Sequence, residues 1–313
     1  MRNFISLLTA RWALLRFVCV GLDSALEKIP ACLGHLSVAD RILEFNKQIV
    51  DATHHLVAAY KPNLAFYLDA GIDGLIALRK TIEYIKETHP DIAIILDAKW
   101  GDIDATNDRY VGAISKLFAD ADAVTIHPIL GQKKGMQQFL ANGNRGAIIL
   151  CRTSNEGGAE FQDLPVLLSQ AVFNALVGDD SRLREVATQQ WEPAEFRGET
   201  CIVAPFYQHL AVRVARFWNT NGNCALVTGA TYPDELALVR ALVPDIPLLI
   251  PGVGKQQGDL EKTVRAARKN FVVNNSSGIT FASNGPDFAE AAGRETEKLD
   301  SEITRILKGT VTT

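Results

Sequence analysis

Eight short apolar runs, each followed by a stretch of helical periodicity, constrain this chain more than anything else in it. The runs fall at 17–21, 58–62, 93–98, 123–126, 146–151, 224–228, 247–250 and 271–273. Each has the length of a strand and is bounded by polar or turn-forming residues. Amphipathic stretches at 41–57, 72–88, 108–118 and 234–242 lie between them. Parallel strands need crossovers of that length, so eight β-α repeats predict an α/β fold. The expected form is a (β/α)8 TIM barrel, a single domain over residues 1–313. An open doubly wound sheet is the alternative that strand counting leaves.

Two segments depart from the repeat. About seventy residues separate Cys151 from Cys224, where one helix would suffice. The charged part, 179–200, reads as an insertion between the fifth and sixth strands, a surface segment or short extra helix without a catalytic role. At the other end, residues 1–20 are apolar but interrupted by Arg11 and Arg16, which leaves no signal sequence or membrane span. Phe4, Leu7, Leu8, Trp12 and Leu15 recur at helical spacing, so an amphipathic helix is expected there, with Arg2 and Arg11 facing water.

A net charge of −4 offers no general attraction to nucleic acid or an anionic membrane. The five cysteines lack CxxC spacing, which suggests a reducing cytoplasm and neither a zinc site nor a disulfide framework.

The polar residues gather where the strands end, and the third run is the most distinctive. Ile94-Ile95-Leu96 leads into Asp97-Ala98-Lys99-Trp100-Gly101-Asp102. Residues two apart on a strand share a face, so Asp97 and Lys99 point the same way. Gly101 then allows Asp102 to return over that face. A carboxylate–ammonium–carboxylate group on a buried strand is costly to desolvate, which marks it as candidate chemistry rather than a surface ion pair. Asp23 ends the first strand, although a lone aspartate there commonly caps the next helix. Lys61, before Pro62, ends the second, where it could equally be exposed at a turn. His127 beside Pro128 reads as structural.

After the seventh strand, Pro251-Gly252-Val253-Gly254-Lys255-Gln256 offers backbone N–H groups to an anion, without Walker-loop spacing. Phosphate commonly binds at this place in barrels. Thr153-Ser154-Asn155-Glu156-Gly157-Gly158 reads either as a solvated connection or as a loop able to close over substrate.

Together these motifs resemble the orotidine 5′-phosphate decarboxylase family, in its bacterial subgroup of longer chains. The resemblance rests on Asp97-x-Lys99-x-x-Asp102-Ile103-x-x-Thr106, Gly21-Leu22-Asp23, Lys61, Thr153-Ser154-Asn155, Val227-Thr228-Gly229-Ala230-Thr231-Tyr232-Pro233 and Pro251-Gly252-Val253-Gly254-x-Gln256. It implies loss of CO2 from C6 of orotidine 5′-phosphate to give UMP, a step of pyrimidine biosynthesis, with neither metal nor organic cofactor.

In that family Lys99 would protonate C6, Asp97 would sit near the departing carboxylate, and Lys61 with Asp23 would hold the ribose. Asp102 and Thr106 would reach into the neighbouring site of a homodimer. Ser154 would bond the pyrimidine; Gln256, with the backbone near Gly254, would bind phosphate. Two positions depart from the family: Trp100 replaces the usual choices after the lysine, without a reading of its own, and Ser277, in Ser276-Ser277-Gly278-Ile279, stands where an arginine clamp on phosphate is usual. Either the phosphate is held more weakly, another cation such as Lys255 compensates, or the position has been substituted. Two other readings are a Mg2+-dependent sugar-phosphate decarboxylase sharing the D-x-K-x-x-D barrel and a weakened nucleotide-binding homologue.

Overall fold

All eight apolar runs form strands. The computed structural model describes residues 2–253 and 259–310, with eleven strands among them. They are β1 (Val18–Leu22), β2 (Val57–Pro62), β3 (Ala93–Trp100), β4 (Ala123–Ile126), β5 (Gly146–Arg152), β6 (Pro165–Ser169), β7 (Glu192–Phe196), β8 (Glu199–Pro205), β9 (Cys224–Thr228), β10 (Leu248–Pro251) and β11 (Phe271–Asn275). Eight close a barrel in the order β1-β11-β10-β9-β5-β4-β3-β2, every pair parallel. Helices cover the outside, so strands such as β1 and β2 are buried throughout and read as continuous apolar runs. The open-sheet alternative is thereby removed.

The N-terminal helix does more than pack on the body. Phe4–Ala13 is capped by the Asn3 side chain, which accepts from Ser6 N at 3.0 Å. Its Phe4 and Leu8 join the apolar cluster inside the barrel, beside Ala93, Ala123, Ala225 and Ile148. Small strand residues leave room for them at the amino-terminal end of the strands. Gly146 is part of the fit, since a Cβ there would stand 2.2 Å from Phe4 Cδ1.

The expectation that Arg2 and Arg11 face water fails for the same reason. Strand starts surround the helix and present carbonyls that need donors. Arg11 is buried and donates to the carbonyls of Val57 (2.7 Å) and His54 (2.9 Å) while pairing with Asp91 at 2.9 Å. Arg2 pairs with Asp122 at 2.5 Å.

The insertion also differs from expectation. Besides the helix Ser181–Gln190, it holds a three-stranded antiparallel sheet in the order β6-β8-β7. Arg197 and Gly198 link β7 to β8 with φ of 53° and 79°, the two positive values that a tight hairpin turn needs. The polar sequence Glu-Pro-Ala-Glu-Phe of β7 lacks strand alternation, which hid the hairpin.

Candidate active site

The carboxyl ends of the barrel strands open on a cavity of about 760 Å³. Asp23 reaches it from β1, Lys61 from β2, Asp97 and Lys99 from β3, and Thr125 from β4. Asp97 is the hub. Its Oδ2 lies 2.7 Å from Lys61 Nζ, and its Oδ1 accepts from Lys99 Nζ and Thr125 Oγ1, each at 2.7 Å. Asp23 Oδ1 stands 3.9 Å from Lys61 Nζ. Asp97 and Lys99 therefore meet as expected, although not on a plain strand face. The register to β4 shifts between Leu96 and Trp100, and Lys99 has φ of 49°, in the left-handed region. Strain of that kind persists where surrounding contacts enforce it. Here Thr125 does so, accepting from Lys99 N at 2.9 Å.

Burial alone would push the Lys61 ammonium toward neutrality, but Asp97 and Asp23 outweigh it and hold its pKa above the ordinary lysine value. Burial likewise works against the Asp97 carboxylate, yet Lys61 and Lys99 hold its pKa well below the usual range. Both charges are thus fixed at neutral pH. The two lysines are not equivalent: the Lys61 side chain is 6% exposed and that of Lys99 is 50% exposed. Of this pair, Lys99 is the one whose side chain is substantially exposed. Cys19, between these groups and the barrel core, is pushed up to about 12 by burial and is a neutral thiol.

Asp102 does not return over the Asp97–Lys99 face. Its backbone N donates to Asn107 Oδ1 at 3.0 Å, and its own Oδ1 accepts from Ile103 N at 2.7 Å. Buried Asn107 holds this turn through the carbonyls of Asp102 and Gly135, each at 2.5 Å. Asp102 and the exposed Thr106 lie outside the cavity of their own chain. His127 bonds the Gly101 carbonyl at 3.0 Å, a structural contact.

Ser154, Asn274, Ser276 and Ser277 line the cavity. Gly254 and Gln256, with Lys255, lie outside the described residues. Among the described residues, the buried oxygens Asp23 Oδ1 and Asn274 Oδ1 have no hydrogen-bond partner although both residues face the cavity, as expected where a polar ligand would complete the site.

Sequence reasoning passed over Thr125 and Lys28 and gave no role to Asn274 or to Arg152, which it placed only among the polar residues at the strand ends. Lys28 lines the cavity with its Nζ 5.9 Å from the Phe281 ring, and among the described residues it has no carboxylate partner. Its only signal was a position five residues beyond Asp23.

A family profile, Orotidine 5'-phosphate decarboxylase / HUMPS family, matches residues 16–292. The chain belongs to this family. An orotidine 5'-phosphate decarboxylase of Janthinobacterium sp. (strain Marseille) is 40% identical over 295 residues, covering 93% of this chain and 94% of the relative. One of Thermomicrobium roseum is 41% identical over 296 residues, covering 93% and 91%. The structure of Leishmania donovani OMP decarboxylase superposes with a TM-score of 0.70 at 30% identity, covering 95% of this chain and 98% of that one.

Proposed function

We propose that this protein decarboxylates orotidine 5′-phosphate to UMP without a cofactor, as part of pyrimidine biosynthesis. The observation that carries the reading is Asp97 held between Lys61 and Lys99, at 2.7 Å from each, with Lys99 the exposed member of the pair. The bond from C6 to the carboxylate breaks, CO2 leaves, and the electron pair stays on C6. Lys99 Nζ stabilises that carbanion and gives it a proton. Fixed charges act here without reorganising during the reaction. Asp97 stands near the departing carboxylate and orients Lys99 through the hydrogen bond it accepts from Nζ. Lys61 and Asp23 hold the ribose, and Ser154 bonds the pyrimidine.

The phosphate lies at the loops after β10 and β11, against Gln256 and the backbone near Gly254. Ser277 gives that end a hydroxyl in place of a forked cation, so the grip is weaker than a guanidinium would provide. Lys28 is the nearby lysine able to supply part of the missing charge.

The active unit is a homodimer in the cytoplasm, with Asp102 and Thr106 serving the neighbouring site. Support comes from their position outside their own cavity and from exposed apolar residues close by in the fold: Ile103 beside Asp102, and Ile129 and Leu130 after β4. Among the described residues no helix is long and apolar enough to cross a membrane.

The Mg2+-dependent alternative would require acids free to ligate metal, whereas both Asp97 oxygens are occupied by ammonium and hydroxyl donors. Absorbance loss of orotidine 5′-phosphate, with and without EDTA, tests the reading. Turnover unaffected by EDTA is expected; turnover abolished by EDTA and restored by Mg2+ would favour the alternative.

A further inference from the structure

Arg152 ends β5 fully buried, 1% exposed, and is not among the residues that line the cavity. Such a cation is retained where a counter-charge and hydrogen-bond acceptors offset its desolvation, and here they do so although Nε itself makes no hydrogen bond among the described residues. Its Nη2 donates to Asp163 Oδ2 at 3.0 Å, and its Nε lies 2.8 Å from Asp163 Oδ1. Its Nη1 donates to the Thr153 carbonyl at 3.2 Å. The guanidinium plane rests 3.8 Å over the Tyr232 ring.

These contacts tie three segments together. The ten residues from 153 to 162 form a loop bearing Ser154 and, at its far end, Phe161 and Gln162, all lining the cavity. Arg152–Asp163 joins the ends of that loop. A second tie lies alongside it, with Gln162 Oε1 accepting from Thr153 N at 2.8 Å. Tyr232 belongs to the segment after β9, which presses on the same loop: Thr231 Oγ1 donates to the Ser154 carbonyl at 3.2 Å. A Cβ at Gly229 would come within 2.6 Å of Ser154 Cα. The Ser154 backbone is therefore fixed from both sides, and the Arg152 side chain contacts both.

We infer that Arg152 is a positioning residue that sets the place of Ser154 over the cavity, with Asp163 as its counter-charge. This deepens the proposed function and rests on it, since Ser154 is there the contact to the pyrimidine. A lysine at 152 keeps the charge but cannot bridge the carboxylate and the ring at once. Displacing a substrate contact by about 1 Å costs on the order of 10²-fold in rate.

The test is a double-mutant cycle in the full-length protein, Arg152→Lys and Asp163→Asn each with Ser154→Ala, reading kcat/KM for orotidine 5′-phosphate and the thermal midpoint. If Arg152 acts through Ser154, Asp163→Asn and Arg152→Lys lower kcat/KM by about 10- to 100-fold in the parent and by less than about 3-fold once Ser154 is alanine. Losses that multiply in the Ser154→Ala background, or that merely follow a lowered thermal midpoint, would overturn the inference. Asp163→Asn, at a half-exposed side chain, decides the matter if Arg152→Lys does not fold. Absence of turnover by the parent would defeat the proposed function, and the same cycle read in UMP affinity then judges Arg152 by the same criterion. An unchanged UMP affinity in every variant, or no UMP binding by the parent, would overturn it too.

Discussion

Two buried cations stand at opposite ends of the same barrel, and their partners explain what each end does. Arg11, at the amino-terminal end, divides its donors among two backbone carbonyls and Asp91. Lys61, at the carboxyl-terminal end, is held by Asp97 and faces Asp23. The first arrangement satisfies the open ends of strands and closes the barrel with Phe4 and Leu8. The second concentrates charge beside a cavity and, among the described residues, leaves oxygens of Asp23 and Asn274 without a hydrogen-bond partner. One end is finished by its own chain; the other is complete only with a ligand.

That contrast can be broken first at Asp97. Asp97→Asn is expected to lower kcat by about 10³-fold or more, because the electrostatic arrangement around Lys99 is lost. The same variant sharpens the pH argument. The folded-state pKa of Asp97 is depressed, so its ionised form contributes stability above the ordinary carboxylate range, and that contribution disappears as pH falls below it. Acid unfolding followed by circular dichroism should show the parent converging on Asp97→Asn only below about pH 4. Convergence near neutrality would contradict the charge state assigned to Asp97.

At the closed end the effect should be on stability alone. Phe4→Ala is expected to cost about 3–5 kcal/mol in unfolding free energy, by lost burial plus a cavity. Its kcat, measured well below the melting transition, should stay within about 2-fold of the parent, a result expected if Phe4 only closes the barrel. A large drop in kcat at intact fold would mean that the two ends are coupled.

The phosphate end provides smaller tests. Ser277→Arg should raise kcat/KM by about 10-fold or more through a charge-assisted, forked contact. An unchanged value would show that Ser277 does not face the phosphate. Lys28→Met should lower kcat/KM by a few-fold, about 0.5–1 kcal/mol, as expected for a solvent-screened charge. That loss should shrink in the Ser277→Arg background; an equal loss in both would deny Lys28 a share in phosphate binding.

The barrel was legible because its strands are buried on both faces, which leaves continuous apolar runs such as Ile94-Ile95-Leu96. The hairpin of β7 and β8 was not, since its exposed strands carry glutamates and its turn is Arg-Gly rather than the more telling Asn-Gly. Asp97 and Lys99 were legible from charge on an apolar strand. Thr125 and Asn274 were not, because a hydroxyl or amide on a strand gives no pattern until the neighbouring strand is known. Asp102 misled as a member of the local cluster: its reach depends on the turn held by Asn107, which spacing does not reveal. Arg11 and Arg152 misled or escaped notice for one reason. A sequence marks an arginine as polar and says nothing about carbonyls or rings brought to it from elsewhere in the chain.

The central claim is that Lys99, the exposed member of the charged group, gives the proton to C6. Its most direct test compares Lys99→Ala with the parent in an absorbance assay of orotidine 5′-phosphate, together with UMP affinity and thermal midpoint. The parent should convert substrate to UMP and CO2 in equal amounts. Lys99→Ala should lose about 10³-fold or more in kcat, with the midpoint retained, because its side chain is half exposed. Turnover by a folded Lys99→Ala within about 10-fold of the parent would contradict the account.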